Sequence, residues 1–468
     1  MSVLLNILGI LALAVLIFIS IGLHEFGHFI TAKRFGVKVT EFMIGFGPKI
    51  FSRKKGETSY GFKLFPLGGY VRILGMYPPA KEGSQQAGAV RSVNQSAEGD
   101  TIVAEADSAV STQARRPGRF AHLVDQARAE SMKGLDPGEE DRAFYRLPVG
   151  KRVVVMLAGP FTNLVLAFVF IAIVLVGIGI PTPSLTINRV IDCVPTAANP
   201  NGSTTDGRCE GSPPTAAFSS DIAAGDRITA VNGAPVEDWE QVTTALRNTD
   251  EPTAITLSTA TGERTVVAEP VSYPRVDEAG QPVLDENGQQ VTDTRAFLGV
   301  NPEQYLQRQA PQQVPVFIWD ATTRSVTALF ALPAKMYDLG VTLATNGERD
   351  VEGPVSVVGI SRIGGEVVAD DQLEWANKVG FIFTLAATLN LFLFLFNLLP
   401  IPPLDGGHVA AALWEAIRRK WAAWRGRPDP GVVDTAKLLP VTYVVAVILI
   451  GVGVMVIWAD LFKPISLT

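Results

Sequence analysis

Two histidines and a glutamate interrupt an otherwise apolar stretch near the start of the chain, residues 20–31, SIGLHEFGHFIT. On a helix, His24 and His28 share one face because they are four residues apart, so both imidazoles can reach one metal ion. Glu25 projects beside them and can take a proton from a water at that metal. Ionisable groups are costly inside a lipid-buried helix and are usually functional there. The motif therefore predicts zinc-dependent hydrolysis carried out within a membrane.

A third metal ligand must come from elsewhere, because catalytic zinc usually takes three protein ligands and leaves one position open. The chain has four histidines, and His122 lies in a long polar connection where a surface role is expected. The segment NLLPIPPLDGGH, residues 397–408, offers Asp405 and His408. We favour Asp405, because it follows prolines that forbid a regular helix and because a hard carboxylate suits a water-activating zinc. His408 is then expected to lie behind the ligands or to face a helix.

Two asparagines lie in apolar surroundings close to these motifs, Asn163 in AGPFTN and Asn397 at the start of NLLPIPPLDGGH. A neutral amide buried in a membrane can bond a substrate backbone or steady a developing oxyanion. It can equally join two helices by a hydrogen bond, as is common in membrane proteins. The sequence leaves both interpretations open for both residues.

Four apolar stretches are each longer than the roughly 20 residues that cross a bilayer. The chain of 468 residues is 47% hydrophobic and only 18% charged, and these stretches contain no Asp, Glu, Lys or Arg. We do not expect the first to be a cleaved signal peptide, because it lacks a basic beginning and runs directly into HEFGH. The four predicted spans are based on Met1–Leu23, Val153–Asn188, Val379–Leu404 and Leu438–Ala459.

The charges of the connecting segments predict how the chain is oriented, since basic segments stay in the cytoplasm. Residues 31–152 hold 20 Lys and Arg against 13 Asp and Glu, and residues 401–437 hold 6 against 4, whereas residues 181–376 hold 12 against 27. The first and third connections are therefore expected inside and the long second one outside. The acidic outer segment accounts for most of the net charge of −6 and gives no indication of nucleic-acid binding.

This topology brings three distant motifs to one depth. The first and third spans run from outside to inside, so HEFGH and LDGGH both lie near the cytoplasmic face. The second span runs the other way, so its first residues, AGPFTN, lie there as well. Because the orientation comes from charge and not from the motifs, their convergence supports one shared site near the cytoplasmic face.

The two cysteines, Cys193 and Cys209, both fall in the outer segment. An oxidising compartment permits a disulfide between them, and a loop of this size is stabilised by about 3 kcal/mol when it is closed. Two free thiols are the alternative. We expect the disulfide.

Between the first two spans the sequence changes character twice. Residues 41–77 alternate short apolar and aromatic runs with GFGP, KKGE and PLGG turn signals, which indicates β-hairpins at the cytoplasmic membrane face. Residues 78–117 are rich in Ala, Gln, Ser, Gly and Glu, and predict a mobile insertion without a core. A short helix is expected within residues 118–147.

The outer segment is expected to contain one small α+β domain. Its clearest part predicts a strand at Arg227–Val231, a turn at Asn232-Gly233 and a helix at Trp239–Leu246. Residues 314–345 have helical apolar periodicity interrupted by four charges, which favours an amphipathic helix at the outer membrane face over a fifth span.

HEFGH, AGPFTN and NLLPIPPLDGGH, in this order and in four spans, closely resemble the site-2 protease family of intramembrane zinc metalloproteases, and most of all its bacterial RseP-like branch. The resemblance implies His24, His28 and Asp405 as ligands of one Zn²⁺ per chain, and Glu25 as the catalytic base. It implies that the Asn397 region holds an extended substrate. It also implies a membrane-associated β-region in which Gly45, Phe46 and Gly47 lie where an edge strand pairs with the substrate.

The segment SDIAAGDRITAVNGAPV, residues 220–236, resembles the core of a PDZ domain. The chain departs from the best-known members in having one such unit instead of a tandem pair, and in lacking a clear glycine-rich loop for a peptide carboxylate. A size filter above the active site is therefore at least as plausible as the capture of a free C-terminus.

The expected fold is a polytopic α-helical membrane protein with four transmembrane helices, a membrane-associated β-region and one extracytoplasmic PDZ-like α+β domain. We expect the protein to lie in a bacterial cell membrane and to cleave single-span membrane regulators, such as anti-sigma factors after a first cleavage, as well as signal-peptide remnants. The alternative is a catalytically silent PDZ-bearing scaffold. The expected segments are spans at 1–33, 151–180, 378–408 and 438–459, the β-region at 41–77, the insertion at 78–150, the outer domain at 186–313 and the amphipathic helix at 314–345.

Overall fold

Five helices in the described part of the chain are long and apolar enough to cross a membrane. The computed structural model describes residues 2–79, 121–194, 203–204, 208–209, 213–220, 222–247, 251–274, 292–345, 347, 349–350, 353–370 and 373–464. Most of the predicted insertion at 78–117 lies outside these residues. The five helices are α1 (Ser2–Arg34), α3 (Val149–Ala172), α6 (Gln313–Thr345), α8 (Trp375–Asn397) and α10 (Leu439–Phe462).

Four of the five helices coincide with the predicted spans, and the fifth is α6, which we expect to lie along the membrane. Its apolar character is interrupted by Asp320, Arg324, Lys335 and Asp338. Length and composition alone do not separate a spanning helix from an interfacial one. The number of spans therefore stays a prediction. The fold shows several long apolar helices, which is consistent with a membrane protein.

Helices α1, α3 and α8 form the core that carries the three motifs. Buried Leu13 of α1 packs with Phe170 of α3 and Leu391 of α8 in one apolar cluster. Ser20 of α1 lies one turn before HEFGH. Its Oγ accepts a hydrogen bond of 2.9 Å from the fully buried Asn390 of α8. A buried hydrogen bond between helices fixes their relative depth, so the motif-bearing ends of α1 and α8 are held at one level.

The predicted β-region is a sheet of two long, bent strands, β1 (Val39–Lys55) and β2 (Thr58–Ile73). Residues 41–44 of β1 pair with residues 59–62 on one side and with residues 69–72 on the other, all antiparallel. The two strands thus behave as four short ones, and residues 69–73 form one edge of the sheet. The structured part begins two residues earlier and ends four residues earlier than the predicted 41–77.

The third predicted span is broken at its prolines, as the sequence predicts. Helix α8 ends at Asn397, residues 398–404 are not helical, and α9 (Asp405–Trp424) begins at Asp405. The unwound segment therefore contains all three prolines, as their missing amide protons require. Of the LDGGH end that we expected to be unwound in the third span at 378–408, only Leu404 is unwound: DGGH forms the first turn of α9, where an acidic first residue is stabilised by the helix dipole.

The outer segment folds around a sheet with strand order β10-β3-β4-β6-β7, to which the short β5 is added beside β4. The predicted strand and helix of the PDZ-like unit are present at Arg227–Val231 and Trp239–Arg247, with Asn232 and Gly233 at positive φ in the turn between strands. Buried Ile187, Ile228 and Leu257 are part of the domain core. The elements are β3 (Ile180–Val190), α4 (Ala216–Ser219), β4 (Arg227–Val231), β5 (Ala234–Pro235), α5 (Trp239–Arg247), β6 (Thr253–Thr259), β7 (Gly262–Ala268), β8 (Pro270–Pro274), β9 (Thr292–Ala296) and β10 (Val300–Gln307).

The sequence preceding the third span forms a helix of its own, α7 (Val357–Ala369), which we did not predict. Ser356 caps it by accepting hydrogen bonds from the backbone amides of Val358 and Gly359. Gly364 and Gly365 lie against α1, where small residues let two backbones approach closely, whereas Gly359 lies against Asp460 of α10. The remaining α-helix among the described residues is α2 (Ala121–Met132), which lies within the range expected for a short helix.

Candidate metal centre

Three side chains from two helices, α1 and α9, meet at one site, as the sequence predicted. His24 and His28 lie one turn apart on α1, and Asp405 is the first residue of α9. His24 Nε2 lies 3.2 Å from His28 Nε2, and Asp405 Oδ2 lies 3.4 Å from each of these nitrogens. These three residues form the group of potential metal ligands found in the described part of the chain.

The three donor atoms fit a zinc ion. Zinc with tetrahedral bonds of about 2.0–2.1 Å separates its ligand atoms by roughly 3.3 Å. The three observed separations, 3.2, 3.4 and 3.4 Å, match this value on every side of the triangle. Two nitrogens and one carboxylate oxygen are also the kind of three-ligand set that leaves a position open for water in catalytic zinc sites.

Helix α3 supports both histidines from behind. His28 Nδ1 lies 2.8 Å from the carbonyl oxygen of Val155, so it can donate its proton there and leave Nε2 free for a metal. Asn163 Nδ2 lies 3.1 Å from His24 Nδ1, while Asn163 Oδ1 is buried without a partner. A half-turn of this amide brings Oδ1 to the Nδ1 proton that an Nε2-bound histidine carries, which satisfies both groups.

The position of Asn163 bears on the two roles that the sequence left open for it, substrate binding and a hydrogen bond between helices. The residue is 1% exposed and contacts His24 on the side opposite to the open part of the site. A buried amide in this position can orient a ligand histidine, and Asn163 is not among the residues that line the cavity. The geometry therefore favours a positioning role for Asn163.

Two glycines make room for the site, and neither is predicted from the sequence to do so. A Cβ atom on Gly159 of α3 would lie 2.1 Å from His28 Nε2, and one on Gly69 of β2 would lie 2.0 Å from Glu25 Cγ. Both distances are far shorter than any real carbon contact, so a side chain at either position would displace the neighbouring functional group. The glycines of AGPFTN and PLGGYV are thus explained by close approach.

An open cavity of about 450 Å³ lies over the three donor atoms. Glu25, the predicted base, borders this cavity together with His24 and His28. The other walls come from the edge strand of β2, from one face of α2 and from the broken end of the third span. Their lining residues include Tyr70, Val71, Arg72, Tyr77, Ala127, Glu130, Ser131, Met156, Pro403 and His408.

The edge strand beside the cavity is formed by residues 69–73, and not by the GFG segment. Gly45 and Gly47 have positive φ, and a Cβ atom on Gly45 would lie 2.7 Å from the carbonyl oxygen of Phe65, so GFG forms a bend against the other strand. Backbone pairing joins Phe46 to Phe65. Gly45, Phe46 and Gly47 therefore do not lie at the edge that borders the cavity, contrary to the expectation, because β1 bends there and pairs with Phe65.

The remaining predicted residues are placed as follows. Asn397 is the last residue of α8, immediately before the unwound segment, and His408 lies one turn after Asp405 in the cavity wall. His122 is exposed on α2 and does not line the cavity. Cys193 and Cys209 are joined in the structure by a disulfide of 2.02 Å.

Comparison with known proteins agrees with this geometry. The model of peptidase family M50 matches residues 12–427. The chain is 32% identical over 469 residues to the zinc metalloprotease Rip1 of Mycobacterium tuberculosis, with 98% of each protein covered. It is 31% identical to Rip1 of Mycolicibacterium smegmatis with 98% of each covered, and 27% identical to the regulator of sigma-W protease RasP of Bacillus subtilis with 85% of this chain and 87% of RasP covered.

A family match over most of the chain and a relative above 30% identity over nearly its full length agree with the donor triangle of two histidines and an aspartate. The chain therefore belongs to peptidase family M50, the site-2 proteases, and is a zinc metalloprotease.

Proposed function

We propose that this protein hydrolyses peptide bonds within transmembrane segments of membrane-bound regulators, including anti-sigma-factor-like proteins after a first cleavage, and signal-peptide remnants. The observation that carries the proposal is the zinc-sized triangle of His24, His28 and Asp405 at the ends of apolar helices. The name of the Bacillus subtilis relative, a regulator of sigma-W protease, supports a regulator as the class of substrate.

In this proposal His24, His28 and Asp405 hold the metal, and Glu25 is the catalytic base. Zinc, when bound, supplies a Lewis acid that polarises the scissile carbonyl and acidifies the attacking water. The carboxylate of Glu25 accepts the proton of that water and then delivers it to the nitrogen of the leaving amine. Asn163 and the carbonyl oxygen of Val155 hold the two imidazoles in the orientation that leaves both Nε2 atoms free.

The substrate is proposed to lie as an extended strand along residues 69–73. A transmembrane helix hides its carbonyl groups in its own hydrogen bonds, so it must unwind before hydrolysis. Strand addition to an open sheet edge replaces those lost hydrogen bonds by new ones. Tyr70, Val71 and Arg72 on this edge border the cavity that Glu25 also lines, and Pro403 of the unwound segment that follows Asn397 borders it as well.

The charge distribution supports a site near the cytoplasmic face and an outer domain on the other side of a bacterial cell membrane. The strand, turn and helix of residues 227–247 support a PDZ-like domain. We propose that this domain acts as a size filter, so that a regulator enters the site only after another protease has removed its outer part.

The decisive experiment compares the protein with its Glu25→Gln variant after reconstitution with a single-span substrate. The variant should bind one zinc per chain, measured by metal analysis, and should lose cleavage by at least about 10²–10⁴-fold because general-base catalysis is removed. Glu240→Gln on the exposed side of α5 is the control and should cleave normally. An active Glu25→Gln protein would contradict the assignment of the base.

A further inference from the structure

The outer face of α9 carries a stripe of large apolar side chains. Leu413, Trp414, Ile417, Trp421 and Trp424 are between 49% and 81% exposed. At about 100° per residue these five positions fall within an arc of roughly 100° on the helix surface. Helix α9 is nevertheless not among the described helices that are long and apolar enough to cross a membrane. A tryptophan-rich stripe on such a helix is typical of one that lies in the membrane interface.

Basic residues flank the stripe on both sides. Arg418 projects beyond one edge of the arc and Lys420 beyond the other, and neither forms an ion pair with a described residue. Arg425, which caps the helix, lies with its guanidinium 4.0 Å from the centre of the Trp421 ring. Long basic side chains beside an apolar face can extend towards phosphate groups while their methylene chains remain in the apolar layer.

The opposite face of α9 is attached to the catalytic core. Glu415 is fully buried and lies 2.5 Å from Nη2 of Arg152 on α3. Its second oxygen accepts a hydrogen bond of 3.0 Å from the amide of Val433, and Arg419 adds a further ion pair. A buried charge pair that is satisfied on all sides holds its two elements in one relative position. The helix thus has one anchored face and one open face.

We propose that the open face of α9 binds anionic lipid headgroups of the cytoplasmic leaflet, and that this contact sets the position of Asp405. The tryptophans seat the helix in the interface, while Arg418 and Lys420 supply the charge complementarity for a phosphate-bearing surface. Asp405 is the first residue of the same helix, so the depth and tilt of α9 determine where this proposed metal ligand lies. The inference rests on the proposed function for the side of the membrane on which α9 lies.

Lipid binding is tested in the full-length Glu25→Gln protein, so the result does not depend on turnover. In nanodiscs of phosphatidylcholine with added phosphatidylglycerol, the retained phosphatidylglycerol is measured by lipid mass spectrometry. Replacing both Arg418 and Lys420 by Gln should weaken this retention by roughly thirty-fold at low salt, since each basic residue near an anionic surface contributes about 1 kcal/mol. The control is the Arg227→Gln, Arg247→Gln protein, which loses the same charge from the outer domain. Equal retention in both variants would overturn the proposal.

A spin label attached to the Ile417→Cys protein tests whether lipid covers the open face of α9. The label should be reached by lipid-soluble oxygen more than by a water-soluble nickel reagent, whereas a label in the Arg427→Cys protein should show the reverse. Dipolar broadening between labels at position 417 would mean that a second copy of the chain covers this face, and would overturn the assignment to lipid.

The coupling to Asp405 is tested in the active enzyme. Its kcat/KM should rise several-fold with phosphatidylglycerol content, and the response should be absent in the Arg418→Gln, Lys420→Gln protein. A lipid response that is equal in both proteins would overturn the coupling. Absence of cleavage in every lipid would instead contradict the proposed function, while the retention and labelling experiments would still decide whether α9 binds lipid.

Discussion

At the scale of residues, the metal centre depends as much on absent side chains as on present ones. His28 lies so close to α3 that only a glycine fits at position 159, and Glu25 lies equally close to Gly69 of β2. Both helices and the edge strand therefore approach the site more closely than ordinary side chains allow. The ligands are held by this packing and by hydrogen bonds from behind, which is how metal sites keep their donors oriented.

This packing predicts the effect of Gly159→Ala. The new methyl carbon would lie 2.1 Å from His28 Nε2, so the imidazole must move out of the donor triangle. We expect the affinity for zinc to fall by roughly 10–100-fold, as is typical when the support of a ligand is lost. Affinity is measured by competition with a chromophoric chelator.

The matched control is Gly150→Ala in the first turn of the same helix, where nothing lies within 4 Å of the new carbon. Its zinc affinity should equal that of the unmodified protein. Unchanged affinity in Gly159→Ala would show that His28 is not held against α3 in the metal-bound protein.

At the scale of elements, two interruptions of regular structure create the site. Because residues 398–404 are unwound, α9 begins as a separate helix whose first residue, Asp405, lies beside His24 and His28. The bend of β1 at Gly45 and Gly47 allows the sheet to expose residues 69–73 beside Glu25. An unwound helix end and an open strand edge on the two sides of a cavity are what an extended peptide requires.

This arrangement predicts where a trapped substrate can be cross-linked. In the Glu25→Gln background, a cysteine introduced by Tyr70→Cys should form disulfides with cysteines placed along the cleaved region of a substrate. The yield should alternate every second residue, because side chains of a paired strand alternate between faces. Cross-linked product is measured on non-reducing gels.

The control position is Phe51, which is exposed on the other edge of the same sheet, formed by residues 49–55. A cysteine introduced by Phe51→Cys should give little product. Equal products from both edges, or a helical spacing of three to four residues at position 70, would contradict the strand-addition proposal.

At the scale of the whole molecule, the outer sheet is joined to the helices without long linkers. Helix α3 continues through a π-helical turn, Ile173–Ile178, into β3, and β10 ends six residues before α6 begins. The amide of Gln309 donates a hydrogen bond of 2.7 Å to the carbonyl oxygen of Leu175, which ties the two connections together. Short, bonded connections restrict the motion of a domain, as a filter for entering substrates requires.

The filter predicts that substrates without their outer part are cleaved faster than intact ones. A flexible Gly/Ser insertion between residues 311 and 312 should reduce this difference, because the domain could then move aside. The ratio of the two kcat/KM values is measured for each protein.

The control insertion is placed at Ala260–Thr261 in the hairpin between β6 and β7, which leaves both connections intact. It should preserve the preference for trimmed substrates. An equal rate for intact and trimmed substrates in the unmodified protein would remove the filter from the proposal.

The sequence by itself determined the kind of chemistry and the ligands proposed for it. Spacing on a helix placed His24 and His28 on one face, proline chemistry marked the break before Asp405, and charge gave all three motifs one depth. These features are local, so each can be derived from a few neighbouring residues. The strand at Arg227–Val231 and the helix after it were predictable for the same reason.

The tertiary structure decided what depends on contacts between distant segments. It placed Asn163 behind His24, gave Gly159 and Gly69 their roles, and assigned the edge strand to residues 69–73 instead of to Gly45–Gly47. It also separated α7 from the third span and started α9 at Asp405. The physical reason is that each of these features depends on which distant segment packs beside it. The direction in which an amide points, the need for a glycine and the strand that forms a sheet edge are all decided by that contact. The local sequence does not reveal which segment makes the contact.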